Sequence, residues 1–378
     1  MDFVMESAPG ARTIINGRWR DYFAGTGYLG LQGHSGLVAA AGAALNKYGL
    51  TTATSRGGYG EHPVFQAVER AAAVFLSQEA ALYTVSAYLG SEILLQGLQN
   101  EYDRIYVDEV AHLSGRDAAS AAGVPVHPFP HANPAALAGA LHTTLGRAER
   151  PLVLTDGVFP ISGEVAPLMD YIQVLSRYEG AILCIDDAHA TGVIGSLGRG
   201  SLEFASERCG TQGVSAGSDT AVRCYTTHTL SKALGGHGGV IAGSSSFIEQ
   251  LWRNAHALVG SSPSPLPAAA ASTWSLDYVR SHPELREQLW SNVARARSGL
   301  RRLGWVLEDS PVPILCLTAF PGVDLARLKA ELFERDICVA HVTRYSSTPQ
   351  GGALRVAIFA THTDEQIDRL IAAIEKLR

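Results

Sequence analysis

Apolar and polar positions along this chain alternate between two periods. Residues 36–49, GLVAAAGAALNKYG, place small and apolar residues at helical spacing. The pattern predicts a helix capped by Ser35 and closed by Gly49, since serine accepts a free first-turn N–H and glycine takes the conformation that ends a helix. Residues 63–78, PVFQAVERAAAVFLSQ, predict a second helix with Pro63 at its tolerated first position. Short apolar runs follow: ALYTV (81–85), RIYVD (104–108), PLVLTD (151–156), AILCIDD (181–187), VRCYTT (222–227) and GGVIAG (238–243). Runs of that length between helical stretches read as buried strands of a parallel βαβ sheet covered on both faces.

The alternation breaks at GSSPSPLPAAAAS (260–272), which holds three prolines. Helical patterns then cover 267–281 and 283–303, strands fit PILCLT (313–318) and ALRVAIF (353–359), and DEQIDRLIAAIEKL (364–377) predicts a last helix. The expected organisation is an N-terminal arm (1–35), a large domain (36–265) and a small C-terminal α+β domain (266–378).

Composition narrows the function. The chain has 378 residues, 46% of them hydrophobic and 17% charged, with a net charge of −6. An average domain is about 25% charged, so some surface is expected to be covered in an oligomer. The charges are dispersed and mildly acidic, which points away from nucleic acid and anionic membrane. No apolar run approaches the roughly 20 residues that span a bilayer. The start, MDFVMESAPGARTIING, lacks the basic-then-apolar order of a signal peptide, so a cytoplasmic protein is expected. Five scattered cysteines with no CxxC pair fit reduced thiols, and the thirteen histidines show no HExxH or similar spacing, so no metal is expected.

GTGYLG (25–30) matches the dinucleotide fingerprint GxGxxG, but no Asp or Glu lies between Asp21 and Glu61 to hold a ribose. The informative residues lie after strands, where open α/β sheets place ligands. AILCIDDAHATG puts Asp186 and His189 at the end of one apolar strand. CYTTHTLSKALGGHGG puts Lys232 after another, with Thr229 and Ser231 before it and glycines behind. A buried acid needs a cationic partner, and a lysine among hydroxyls and glycines can present an amine beside a phosphate. Pyridoxal 5′-phosphate asks for that set: a Schiff-base lysine, an anion for the pyridinium and a phosphate cup.

The runs DDAHATGVIGSLGRGS (186–201) and HTLSKALGGHGG (228–239) resemble the α-oxoamine synthase family of pyridoxal phosphate enzymes. GYLGL (27–31), SRGGYGEHPVFQAVE (55–69), RIYVDEVAHLSGRDAA (104–119), LTDGVFPISGEVAPL (154–168) and LRVAIFATHT (354–363) extend the resemblance along nearly the whole chain. It implies the fold-type I aminotransferase architecture and a homodimer with shared active sites. It also implies that Lys232 carries the cofactor and shuttles the Cα proton, that Asp186 pairs with the ring nitrogen and His189 with the ring oxygen, and that His112 stacks on the ring. The Ala87 and Tyr88 amides, with Thr229, would hold the phosphate, which Ser262 would reach across the dimer. Arg355 and Thr26 would meet the amino-acid carboxylate. The implied reaction is a decarboxylative condensation of a small amino acid with an acyl-CoA; another fold-type I activity, an aminotransferase or C–C lyase, is the alternative. Differences from the family gather on the substrate side: TTATSR (51–56) for a glycine-rich stretch, Thr26 for asparagine, Pro160 for serine, and Ala87 and Ala190 for glycines.

Overall fold

In the computed structural model, which describes residues 3–210, 221–319, 322–345, 348 and 351–377, all six apolar runs before residue 250 become strands of one sheet. In chain order the strands begin with β1 (Arg12–Ile15), β2 (Arg18–Tyr22), β3 (Ala80–Thr84), β4 (Arg104–Asp108) and β5 (Val126–Phe129). They continue with β6 (Pro151–Asp156), β7 (Ile182–Asp186), β8 (Arg223–Thr229) and β9 (Gly239–Gly243). The last are β10 (Ile314–Thr318), β11 (Ile337–Cys338), β12 (Ala340–Val342) and β13 (Ala353–Ala357).

The central sheet has the order β3-β9-β8-β7-β6-β4-β5. β5, β4, β6, β7 and β8 run parallel, while β9 lies antiparallel between β8 and β3. The chain therefore has the expected fold-type I α/β architecture, mostly parallel with one reversed strand. Strands covered on both faces need apolar side chains on both, and every residue of β6 is buried. Helices Gly90–Gly97, Leu113–Ala121 and Ser245–Asn254 pack on one face around Leu82, Ile105 and Phe247. Helices Pro134–Thr144, Leu168–Leu175 and Ser201–Cys209 cover the other around Phe129, Val153 and Tyr171. No helix among the described residues is long and apolar enough to cross a membrane.

The first predicted helix spans Ser35–Tyr48 and the second Pro63–Leu76, and both pack on Leu266–Ser281. Its cap is His34 rather than Ser35: the His34 ring accepts the Gly36 N–H, and Ser35 is already inside the helix. Gly49 closes that helix at φ 77° as expected.

Towards the C-terminus, β10, β13 and β12 form an antiparallel sheet that presents Arg355 from its central strand. β1 and β2 form a hairpin through Asn16 and Gly17, both at positive φ, and β2 pairs in parallel with β11. Part of the segment expected as an arm is thus built into the C-terminal layers. Asp21, buried on β2, is held there by Arg369 at 2.6 Å and by the Gln366 amide at 2.9 Å.

Candidate active site

The parallel strands β6, β7 and β8 end side by side at a cavity of ≈ 260 Å³. Asp186 is the last residue of β7, and its carboxylate accepts the Ala188 N–H at 2.9 Å, which aims it across the strand ends. The neighbouring Asp187 has a different task. Its carboxylate accepts the Ser201 N–H at 3.0 Å and the Ser201 hydroxyl, so it ties the strand end to the first turn of helix Ser201–Cys209. Burial raises Asp187 to about 7, against the two Ser201 hydrogen bonds.

Lys232 lies in the turn after β8. Its carbonyl accepts the Gln32 side-chain amide at 2.7 Å and the Gly235 N–H at 3.0 Å, which fixes the backbone and leaves the side chain to reach into the cavity. Nζ stands 2.9 Å from His189 Nε2. Burial holds the amine below its ordinary value; Asp186 and Asp156 oppose that shift and Arg355 adds to it. Desolvation favours the uncharged form of a lysine. His189 is itself buried, with Nδ1 at 2.8 Å from the Tyr28 hydroxyl. Burial, then Lys232, Arg355 and His112, hold its ring well below its ordinary value.

His112 caps helix Leu113–Ala121, its ring accepting the Ser114 N–H at 3.2 Å while its backbone N–H donates to the Asp156 carboxyl. The ring lines the cavity, as do Ala87, Tyr88 and Thr229. Ala87–Leu89 form a single tight turn that leads into helix Gly90–Gly97, and Ala87 and Tyr88 in it line the cavity. The Tyr88 N–H already donates to Ser86 Oγ at 3.2 Å. A Cβ at Gly239, on β9 beneath that turn, would strike the Ala87 backbone, so glycine is what lets strand and turn approach. Thr229 Oγ1 accepts the Ser231 N–H at 3.2 Å.

Arg355, buried on β13, stands behind the cavity wall, hydrogen-bonded to Pro160, which lines it. Its guanidinium donates to Pro160 O at 2.6 Å, to Gly25 O at 2.8 Å and to the Tyr28 hydroxyl at 2.8 Å. A guanidinium has five N–H donors, so two remain for a carboxylate. Thr26 follows Gly25 directly in the chain. Pro160 serves through its carbonyl, so the absence of the family's serine hydroxyl does not remove that anchor. Ser262 is not in this cavity; it lines a separate, smaller one with Arg56 and Tyr83.

Three residues with a structural hand in the site went unassigned in the sequence reading: Gln32, Asp156 and Tyr28. Asp156 ends β6 opposite Asp186 on β7. Burial, and after it the Asp186 charge, raise it well above the carboxylate range. The signal that marked Asp186, an acid ending an apolar strand, is equally present in PLVLTD. Nothing in GYLGL marks Tyr28 as a buried hydroxyl.

A family model for class I and II aminotransferases matches residues 25–374. The 8-amino-7-oxononanoate synthase of Thioalkalivibrio sulfidiphilus is 33% identical over 374 residues, covering 99% of this chain and 92% of that protein. The structure of a Sphingomonas wittichii serine palmitoyltransferase is similar at a TM-score of 0.87 and 26% identity, over 99% of this chain and 91% of that one. A serine palmitoyltransferase variant from S. paucimobilis, solved with a bound PLP–myriocin aldimine, shares the fold at a TM-score of 0.90 and 23% identity, over 100% of this chain and 92% of that one.

Proposed function

The chain belongs to the class I and II aminotransferases, as a pyridoxal 5′-phosphate-dependent acyltransferase of the α-oxoamine synthase family, and from that premise we propose that it joins a small amino acid to an acyl-CoA thioester. The donor set fits the cofactor: one buried amine, a carboxylate at a neighbouring strand end, and a turn of backbone amides above a glycine that admits no side chain. Lys232 would hold the aldehyde carbon, Asp186 the ring nitrogen, His189 the ring oxygen and His112 the ring face. The Ala87 amide, the Tyr88 amide on leaving Ser86 Oγ, and Thr229 would hold the phosphate, joined by Ser262 from the neighbouring subunit. When bound, the cofactor supplies a sink for the negative charge that develops at the amino acid's Cα.

The residues of this chain do the rest. Arg355 directs its two free N–H donors at the substrate carboxylate, a pairing that fixes orientation as well as charge. Lys232, once an amino acid has taken its place, is the base at the Cα–H, a task that suits an amine held below its ordinary value. Net, the C–S bond of the thioester breaks as a C–C bond forms between Cα and the acyl carbon, CoA leaves as its thiol, and the carboxyl leaves Cα as CO2 with a proton taking its place. Thr26 and the 51–56 segment, where the chain departs from its family, are where amino-acid and acyl preferences are expected to lie.

The observation that carries this reading is the placement of the Lys232 amine 2.9 Å from His189, in one cavity with Asp186. The test supplies the holoenzyme with each amino acid and a panel of acyl-CoAs and follows free thiol. Thiol release that needs both substrates is expected. Transfer of the amino group to a keto acid with no thiol release would overturn the reading in favour of an aminotransferase.

A further inference from the structure

We propose that Tyr28 is a positioning residue: its hydroxyl fixes the ring proton of His189 on Nε2, the nitrogen that faces Lys232, and ties that proton to the Arg355 guanidinium. The proposal rests on the reading of Lys232 as the residue that captures the cofactor.

The reasoning is a proton inventory. Tyr28 is fully buried, and its oxygen lies 2.8 Å from Arg355 Nη2 and 2.8 Å from His189 Nδ1. A guanidinium has only hydrogens to give, so the phenol oxygen accepts there. The single phenol hydrogen then goes to His189 Nδ1. A neutral imidazole that accepts at Nδ1 carries its hydrogen on Nε2, which is 2.9 Å from Lys232 Nζ. That hydrogen needs a lone pair, which a free amine offers and an ammonium does not.

The reverse arrangement has an ammonium donating to Nε2 and an Nδ1–H donating to Tyr28. It leaves the phenol hydrogen of the fully buried Tyr28 without an acceptor, an unfavourable state for a buried donor. The surroundings favour the first arrangement. Burial raises Tyr28 above the ordinary phenol value, more than Arg355 lowers it, so the hydrogen stays on the oxygen. Around His189 and Lys232 stand Asp156 from β6, Asp186 from β7, His112 from its helix cap and Arg355 from β13. Of these, only Asp186, and Asp156 so far as it is ionised against its own burial, favour the ammonium. Tyr28 thus biases Lys232 toward the form that reacts with an aldehyde, and it links that bias to the guanidinium proposed to receive the substrate carboxylate.

The test uses the full-length protein freed of cofactor and needs no turnover. Pyridoxal 5′-phosphate is added across a pH range, and covalent capture by Lys232, in which the amine and the aldehyde join with loss of water, is fixed with borohydride and timed by peptide mass. The midpoint of the rate profile reports the free amine. Tyr28→Phe is expected to raise that midpoint by about one pH unit. In a His189→Gln background, the same change is expected to add nothing, because Tyr28 acts through the ring. Selective ¹⁵N labelling of histidines in the unaltered protein reads the ring proton directly, with the signal assigned by its loss in His189→Gln. Hydrogen on Nε2 is expected, and hydrogen on Nδ1 would overturn the proposal even if Tyr28→Phe does not fold. An unmoved midpoint with a normal adduct overturns the proposal alone. No adduct on Lys232 in the unaltered protein overturns the reading beneath it as well.

Discussion

At the scale of single residues, the site separates charges by burial. Lys232→Ala is expected to abolish the borohydride-fixed attachment of the cofactor, read by peptide mass. Asp186→Asn is expected to retain cofactor but lose at least about a hundredfold in thiol release, because the ring nitrogen loses its anion; near-normal release would count against that role. The buried histidines set the acid limit of the fold. His228 sits between the Thr191 and Thr226 hydroxyls, at 2.8 Å from each. Burial lowers both His228 and His362 to about 3. Unfolded, each titrates near 6.5, so below that pH the unfolded chain binds more protons and stability falls as pH drops from about 6.5 toward 3. Asp187, raised to about 7, works the other way, since the folded state holds its proton where the unfolded state has lost it. Stability in denaturant should therefore fall from pH 6.5 to 4.5, by up to about 1.4 kcal/mol per pH unit for each of His189, His228 and His362, less the opposing contributions of Asp187 and Asp156. His228→Gln should flatten that slope by about one proton, and an unchanged slope would contradict its neutral burial.

At the scale of elements, the Asp186–Asp187 pair shows how one strand end serves both chemistry and scaffold. Asp187 is held between Ser201, Gly157 and Gly200, and a Cβ on either glycine would strike its carboxylate. Gly200 also sits at φ 120°, which side chains rarely adopt. Gly200→Ala should lower unfolding stability by roughly 2–4 kcal/mol, through strain and a displaced carboxylate, as measured by chemical denaturation. The same contrast explains what the sequence revealed. β3, β4, β6, β7, β8 and β9 were legible because strands buried on both faces must be apolar throughout. β1 and β2 were not: RTII and RWRDY carry exposed and charged positions, and the buried Arg20 and Asp21 are balanced by partners hundreds of residues away. The Asn16-Gly17 pair, a strong hairpin signal, marks the turn between them. β5, VHPF, hides behind a proline and a histidine at the sheet edge. At the site, Asp186, His189 and Lys232 were legible from their places after apolar strands, whereas His112 came from the family resemblance and Asp156, at the end of β6, was missed. The Arg355–Tyr28–His189 chain joins three distant segments, and only packing reveals it.

At the scale of the whole molecule, the low charge content corresponds to apolar side chains left uncovered on the single chain. Tyr59 is fully exposed, Val259 is 77% exposed and Leu50 61%. They belong to segments near Arg56 and Ser262, which line one small cavity away from Lys232. The family resemblance implies a second copy of this chain, and the proposed place for it is the face that carries Tyr59 and Val259. Light scattering should therefore give twice the mass of one chain, and Tyr59→Asp combined with Val259→Asp should give single chains with weakened cofactor binding. Ser262→Ala, in the proposed arrangement, removes one hydrogen bond to a charged phosphate and should weaken cofactor binding by roughly tenfold or more while leaving the dimer intact. Mixing then decides whether Ser262 acts within or across chains. In a dimer of one Lys232→Ala chain and one Ser262→Ala chain, the site with the intact lysine faces the intact serine only if the serine crosses the interface. Mixed dimers should then recover one site of normal affinity and activity. If Ser262 serves its own chain, the lysine-bearing site keeps its defect in every mixture, and the shared-site arrangement is wrong.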